Sequence, residues 1–363
     1  MKLILSEGTV FSGKSFGALR EARGEVVFNT GMVGYVETLT DPSYRGQILV
    51  TTYPLQGNYG VPEGPFESSQ IQVQALIVHQ HCQHPSHHTS QRSLGAWLKS
   101  QGIPAIEAVD TRGLTRHLRR DGTIKGELRL EEHETNDSLP QEDGDAEDVD
   151  MSTVVELVAR KEVTHYPGGD LKILVVDTGT KENIIRRLQT LGATVIRVPW
   201  NQPWDAYLNR VDGLMLTNGP GDPVQLKDQI ERVRGAFHCG IPIFGVCLGH
   251  QLMALAAGAQ SYKLKYGHRS QNQPVVDLIT QRAYLTSQNH GYAVDTARMA
   301  KGWKTWFVNL NDGSNEGIRH KSKPFYSVQF HPESAAGPRD TRFMFEEFLR
   351  TVGEYRATRA RLF

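Results

Sequence analysis

Gly245-Val246-Cys247-Leu248-Gly249 puts a cysteine between two glycines, directly after the apolar run IPIFGV and directly before the helical pattern HQLMALAAG. A nucleophile at a sharp strand-to-helix turn needs small neighbours, because the strained backbone leaves no room for side chains beside it. The thiol is thereby pushed out of the turn, and the N–H groups at the helix start favour the thiolate, which is the reactive form. A cysteine in an apolar stretch is ordinarily a small buried hydrophobe. The flanking glycines remove that reading for Cys247 and leave it in place for Cys82 and Cys239.

A base for such a thiol stands in Phe330-His331-Pro332-Glu333, after the strand-like run PFYSVQF. An imidazole there can take the thiol proton, with the carboxylate two residues on fixing its tautomer. His-Pro-Glu alone is weak evidence, but it gains force from the cysteine elbow. A third element, Asn218-Gly219-Pro220-Gly221-Asp222-Pro223, follows DGLMLTN. Its backbone N–H groups could face a developing oxyanion, although a plain turn also suits such a loop. The His-rich segment VHQHCQHPSHHTS reads as a surface loop, since no regular spacing orders its ligands around a metal.

These pieces need a scaffold. LKILVVD, ATVIRVPW, DGLMLTN and IPIFGV are short, nearly continuous apolar runs, with the helical stretch ENIIRRLQTLG between the first two. Continuous apolarity predicts strands buried on both faces, hence a parallel, doubly wound α/β sheet whose ligands bind beyond the strands' carboxyl ends. Before residue 150 the runs LILS, GEVVFNT, GQILVTTYP and IQVQALIV, with helical stretches at SLGAWLKSQ and TRGLTRHLRR, predict a separate mixed α/β domain.

A chain of 363 residues suits two domains. The expected division is 1–150 for the first domain, 151–170 for a linker and 171–363 for the second. Residues 131–150 are densely acidic and nearly free of large apolar groups, and they read as a solvated loop. Forty Lys and Arg balance forty Asp and Glu, so no single-sign field argues for nucleic acid or a membrane surface. No apolar run reaches the length of a membrane span. The opening MKLILSEGTVF reads as a first strand rather than a signal peptide, and three unpatterned cysteines suggest a reducing, cytoplasmic setting.

The set TNGPGDP, GVCLGHQ and QFHPE, in that order, resembles the class I (triad) glutamine amidotransferase domain over Leu171 to Leu349. The resemblance implies Cys247 as nucleophile, His331 as base and acid, and Glu333 as orienter of the imidazole. It also implies an oxyanion hole from the N–H groups of Gly219 and Leu248. GEVVFNTGMVGYVETLTDPSYRGQILVTTYPLQGNYGV and VDTRGLTRHLRRDGTIKG are similar to the first domain of the carbamoyl-phosphate synthase small subunits. Together with SQNHGYAVD and NDGSNEGIRH, that likeness spans nearly the whole chain. It implies glutamine contacts from Ser43, Gly219, Gly221, Leu248, Gln251, Asn289, Gly291 and Tyr292. It also implies a large synthetase subunit as partner, which would hold the ATP and Mg; this chain, lacking a Walker-type loop or dinucleotide fingerprint, is expected to carry no cofactor or metal of its own.

Three departures from the family pattern are visible, one of them the acidic stretch near Asp145, which has no counterpart in it. DTGTKENIIR lacks the commoner aromatic after its Asp and the basic residue before its Asn, and Tyr292 stands where Phe is usual. Other readings are an amidotransferase serving a different synthase, or a non-catalytic regulatory subunit. The sequence leaves open the oligomeric state, the effectors, and whether the product serves arginine or pyrimidine synthesis.

Overall fold

The computed structural model describes residues 1–131 and 149–360. The acidic stretch expected as a loop over 131–150 lies almost wholly outside them. The chain forms two compact units: Met1–Val154 with Lys265–Arg269, and Val155–Leu264 with Ser270–Phe363.

The first unit is a mixed sheet with a parallel centre. Ala22–Asn29, Gln47–Thr51, Ala75–Ile77 and Ala105–Glu107 run parallel, flanked by antiparallel strands that include Lys2–Leu5 and Ile124–Arg129. Alternate residues face opposite sides of a strand. Val26, Phe28, Ile48 and Val50 accordingly pack with Leu114 and Leu118 of the helix Thr111–Asp121, while Val27 and Leu49 pack with Trp97 and Leu98 of the helix Leu94–Ser100. Both faces are covered, which is why GEVVFNT and GQILV read as continuous apolar runs.

The second unit is built on five parallel strands, in the spatial order Thr194–Pro199, Lys172–Asp177, Gly213–Leu216, Ile243–Val246 and Phe325–Val328. Antiparallel strands extend the sheet at both ends. They include Thr164–Tyr166 on one side, and Asn315–His320, Trp303–Asn309, Gln260–Asp277 and Ala283–Asp295 on the other. Ile173, Val175, Met215 and Phe244 face a core shared with Ile184 and Leu188 of the helix Glu182–Thr190 and with Phe345, Phe348 and Val352 of the helix Phe343–Ala360. The alternate residues Leu174, Val176, Leu214 and Leu216 are buried on the opposite face. The helix Leu248–Ala256 packs on Gly213–Leu216 and Ile243–Val246. The stretch 151–170, read as a linker, contains the helix Val154–Val158 and the strand Thr164–Tyr166.

Lys172–Asp177 has the next strand in sequence, Thr194–Pro199, on one side and the one after that, Gly213–Leu216, on the other, so the direction of winding reverses between it and Gly213–Leu216. Loops beyond the carboxyl ends at such a reversal diverge and leave a crevice. The loops that lead out of this end of the sheet in the second unit include 178–181 after Asp177, 217–222 after Leu216, the turn at Cys247 after Val246, and the segment after Val328. Among the described residues no helix is long and apolar enough to cross a membrane.

Candidate functional site

Cys247 sits between the strand Ile243–Val246 and the helix Leu248–Ala256, with φ 54° and ψ −105°. A side-chain-bearing residue in such a region costs about 1–3 kcal/mol and persists only when its surroundings enforce it. They do. The Cys247 amide donates to the Val328 carbonyl at 2.9 Å, and the Gly249 amide donates to the Thr217 carbonyl at 2.9 Å. A Cβ at Gly249 would collide with the Leu216 carbonyl, and one at Gly245 would lie 2.7 Å from the Gly249 carbonyl oxygen. The two glycines therefore let the elbow press against the sheet, and the elbow in turn presents the cysteine.

His331 follows the strand Phe325–Val328 and is fully buried with Glu333. Its Nδ1 meets Glu333 Oε1 at 2.6 Å, which fixes that nitrogen as the donor and leaves Nε2 to exchange a proton. Nε2 is buried and makes no well-formed hydrogen bond, yet Cys247 is near enough to act on the ring. Such loose pairing is common before substrate arrives. Burial and the Lys181 ammonium disfavour the imidazolium, but the Glu333 carboxylate and the Cys247 sulfur outweigh them and hold the ring's pKa up at about 10. For Glu333, burial opposes ionisation, and His331 and Lys181 overcome it to bring the carboxyl down to about 2.

Sequence reasoning passed over Lys181 and Asn183. Lys181 Nζ lies 3.3 Å from Glu333 Oε1, and Asn183 Nδ2 donates to the Glu333 carbonyl at 2.5 Å, so one short segment grips the orienting acid at both its side chain and its backbone. Their signal was available. They follow the first strand of the parallel sheet, one of the loops where this architecture places ligands, but the loop had registered only as a departure from pattern.

The other expected contacts surround the elbow. A Cβ on Gly219 would collide with the Thr178 carbonyl and come within 2.9 Å of Leu248 Cδ2, which places the glycine loop beside the helix start. Leu248 is the first residue of that helix, so its amide has no intrahelical acceptor. Gly221, with φ 95°, lies in the same loop as Gly219. Cys247 Sγ is 3.8 Å from the Asn289 carbonyl oxygen, and Gln251 Nε2 donates to the Tyr292 carbonyl at 3.0 Å and to Gln329 Oε1 at 3.1 Å. Asn289, Gly291 and Tyr292 share the strand Ala283–Asp295. The second unit thus gathers Cys247, His331, Glu333, Gly219, Gly221, Leu248, Gln251, Asn289, Gly291 and Tyr292. Ser43 lies in the first unit, in the short helical turn Pro42–Tyr44 capped by Asp41.

In the His-rich segment the side chains have separate partners. His81 Nδ1 meets Glu107 Oε2 at 2.7 Å, and His79 Nδ1 meets the Val109 carbonyl at 3.1 Å.

A thiol, a buried imidazole, a carboxylate orienter and a helix-start amide beside a glycine loop can attack and cleave an acyl bond. Comparison with known proteins agrees with this chemistry. Residues 174–351 match the family model for glutamine amidotransferase class-I, and residues 3–128 match that for the carbamoyl-phosphate synthase small chain, CPSase domain. The carbamoyl phosphate synthase arginine-specific small chain of Neosartorya fischeri is 44% identical over 98% of this chain and 80% of its own. Multifunctional protein CAD of Squalus acanthias is 47% identical over 96% of this chain, and multifunctional protein URA2 of Saccharomyces cerevisiae 44% over 98%. The chain spans only 16% and 18% of the length of those two.

Proposed function

The chain belongs to the carbamoyl-phosphate synthase small-chain family, carrying the family's class I amidotransferase domain, and we propose that it releases ammonia from L-glutamine through a thioester on Cys247. The observation that carries this reading is the buried Cys247–His331–Glu333 constellation on a glycine-flanked elbow.

The Cys247 thiolate attacks the side-chain carbonyl carbon of glutamine. The carbonyl electrons move onto oxygen, where the amides of Gly219 and Leu248 receive the charge. Protonated His331 then gives its Nε2 proton to the departing nitrogen, the C–N bond breaks, and ammonia leaves behind a thioester. Sulfur is now uncharged, so one of the two influences that held the imidazole's pKa up has gone. Burial and Lys181 still press it downward, which makes the ring a base for the second half. His331 takes a proton from water, the hydroxide adds to the thioester, and collapse returns the thiolate and releases glutamate. Gln251, Asn289, Gly291 and Tyr292 are the proposed walls for the glutamine chain, with Gly221 beside Gly219.

The partner in this reading is a large synthetase chain that binds ATP and Mg and joins the ammonia to bicarbonate. Relatives named as arginine-specific small chains support carbamoyl phosphate as the final product. The three free cysteines support a reducing, cytoplasmic setting. Glutamate release from glutamine should be slow for the chain alone and rise when a large subunit from the family binds, as a coupled glutamate assay would measure. Equal rates in both states would remove the case for coupling, and no glutamate in either would sink the amidase reading.

Lys181→Met tests the two-step logic. Loss of the ammonium loosens Glu333 and removes a downward pressure on the His331 pKa, so the ring stays protonated when it should act as base. Turnover should fall about a hundredfold, the scale of a misplaced catalytic group. The loss should fall on the second half, and rapid-quench measurement should find ammonia appearing ahead of glutamate. Simultaneous appearance of the two would show that Lys181 does not act on deacylation.

A further inference from the structure

Lys181 occupies the N-cap of the helix Glu182–Thr190 and makes no side-chain cap. A cation there is locally unfavourable, because the helix start already carries partial positive charge and prefers a small acceptor. Something must hold this residue with its ammonium turned to Glu333. The strongest anchor in the loop is an ion network just behind it. Asp177 Oδ1 accepts from the amides of Gly179 at 3.0 Å and Thr180 at 2.9 Å, and from the Thr180 hydroxyl at 2.9 Å. Its Oδ2 accepts from the Arg160 amide at 2.9 Å and from Arg197 Nε at 2.8 Å. Arg197 reaches across from the neighbouring strand, where it pairs in register with Val175, and its Nη1 meets Glu182 Oε1 at 2.7 Å. Glu182 is the first residue of the helix, so this pair ties the helix start to the neighbouring strand.

Asp177 and Arg197 are both essentially excluded from water. Taking two such charges out of water contributes little net stability, and a well-packed apolar pair would often hold the fold as well. What an ion pair of this kind supplies is placement. Arg197 clamps the start of the segment through Asp177 and its far side through Glu182, with Lys181 between the two. We propose that Arg197, with Asp177 and Glu182, is a positioning residue for the amidase centre, acting through Lys181 and Asn183 to set Glu333 and thereby His331. The inference rests on the amidase reading for its meaning in turnover, but the geometry it asserts can be tested without glutamine.

The test is the rate at which iodoacetamide alkylates Cys247 as a function of pH, followed on the Cys247 peptide so that Cys82 and Cys239 do not contribute. It is measured on the full chain as wild type, as Arg197→Met/Asp177→Asn, as Glu333→Gln, and as all three substitutions together. Replacing both charges avoids leaving either one buried alone. If Arg197 acts through Glu333, the double variant's profile should move toward that of Glu333→Gln. The triple variant should then match Glu333→Gln within about threefold, since residues acting in one chain of contacts are not additive. Glutamine turnover in the double variant should fall about tenfold to a hundredfold in kcat with KM nearly unchanged. A profile superimposed on wild type, or effects that multiply in the triple variant, would overturn the proposal, even if thermal stability dropped. Should the double variant fail to fold, Glu182→Gln opens only the outer arm, and a shift in the same direction is required of it. If wild type released no glutamate while the cycle stayed non-additive, the functional reading would fall and the positioning role would stand.

Discussion

Cys247→Ser should lose glutamine-dependent turnover by about 10⁴-fold or more, the scale seen when a triad nucleophile is removed, while ammonia still supports carbamoyl phosphate formation in the assembled complex. A hydroxyl is much harder to ionise than a thiol, and the groups around position 247 are arranged for a sulfur anion: an imidazolium on one side and a helix start on the other. The substitution is nearly isosteric, so the turn and its contacts to Val328 and Thr217 should persist. Loss of one nitrogen source with retention of the other therefore separates chemistry from assembly. Cys239 is exposed and Cys82 half-buried, and neither lies in a glycine-flanked turn. Cys239→Ser and Cys82→Ser should leave both activities intact. Retained glutamine use in the Cys247 variant would refute the nucleophile, and loss of ammonia use as well would assign the residue to structure.

Much of this site was legible because its chemistry imposes local rules. A thiol on a sharp turn needs glycines at Gly245 and Gly249, and both stand in the sequence beside it. Strands covered on both faces need unbroken apolar runs, and LKILVVD and DGLMLTN supply them. The residues that escaped notice act through space. Lys181 reads on its own as a solvated cation at a helix start, and only the fold carries it 152 positions along the chain to Glu333. Glu182 looked like a mere departure until Arg197, one strand away, was found against it. Nor does local pattern announce that Lys265–Arg269, inside the long strand Gln260–Asp277, belongs with the first unit. Its composition resembles its flanks, and the assignment depends on packing partners more than a hundred residues earlier.

His331→Asn should reduce glutamine turnover by about 10⁵-fold, comparable to the loss of the nucleophile, since members of such a unit fail together. The more telling consequence concerns pH. In the wild-type protein the ring's pKa of about 10 keeps an imidazolium beside the sulfur across the neutral range, and Glu333, held near 2, stays ionised throughout it. The signs of the two linkages differ. The raised His331 value contributes stability that is complete below the ordinary imidazole pKa of 6.5 and lost as pH climbs through about 10. The depressed Glu333 value contributes stability present above 4.5 and lost as pH falls through about 2. Both contributions are thus fully present between about pH 4.5 and 6.5, and the wild-type rate at which iodoacetamide alkylates the Cys247 peptide is the reference for the variant. With Asn at 331 the imidazolium beside the sulfur is lost and Glu333 and Lys181 are left to pair with each other, so alkylation should be slower than in the wild type. The asparagine keeps an amide near the place of Nδ1, so a donor to Glu333 survives and the loop need not rearrange. An alkylation profile unchanged from wild type would show that His331 does not hold the thiolate, and would leave the imidazole only the proton transfer to the departing nitrogen.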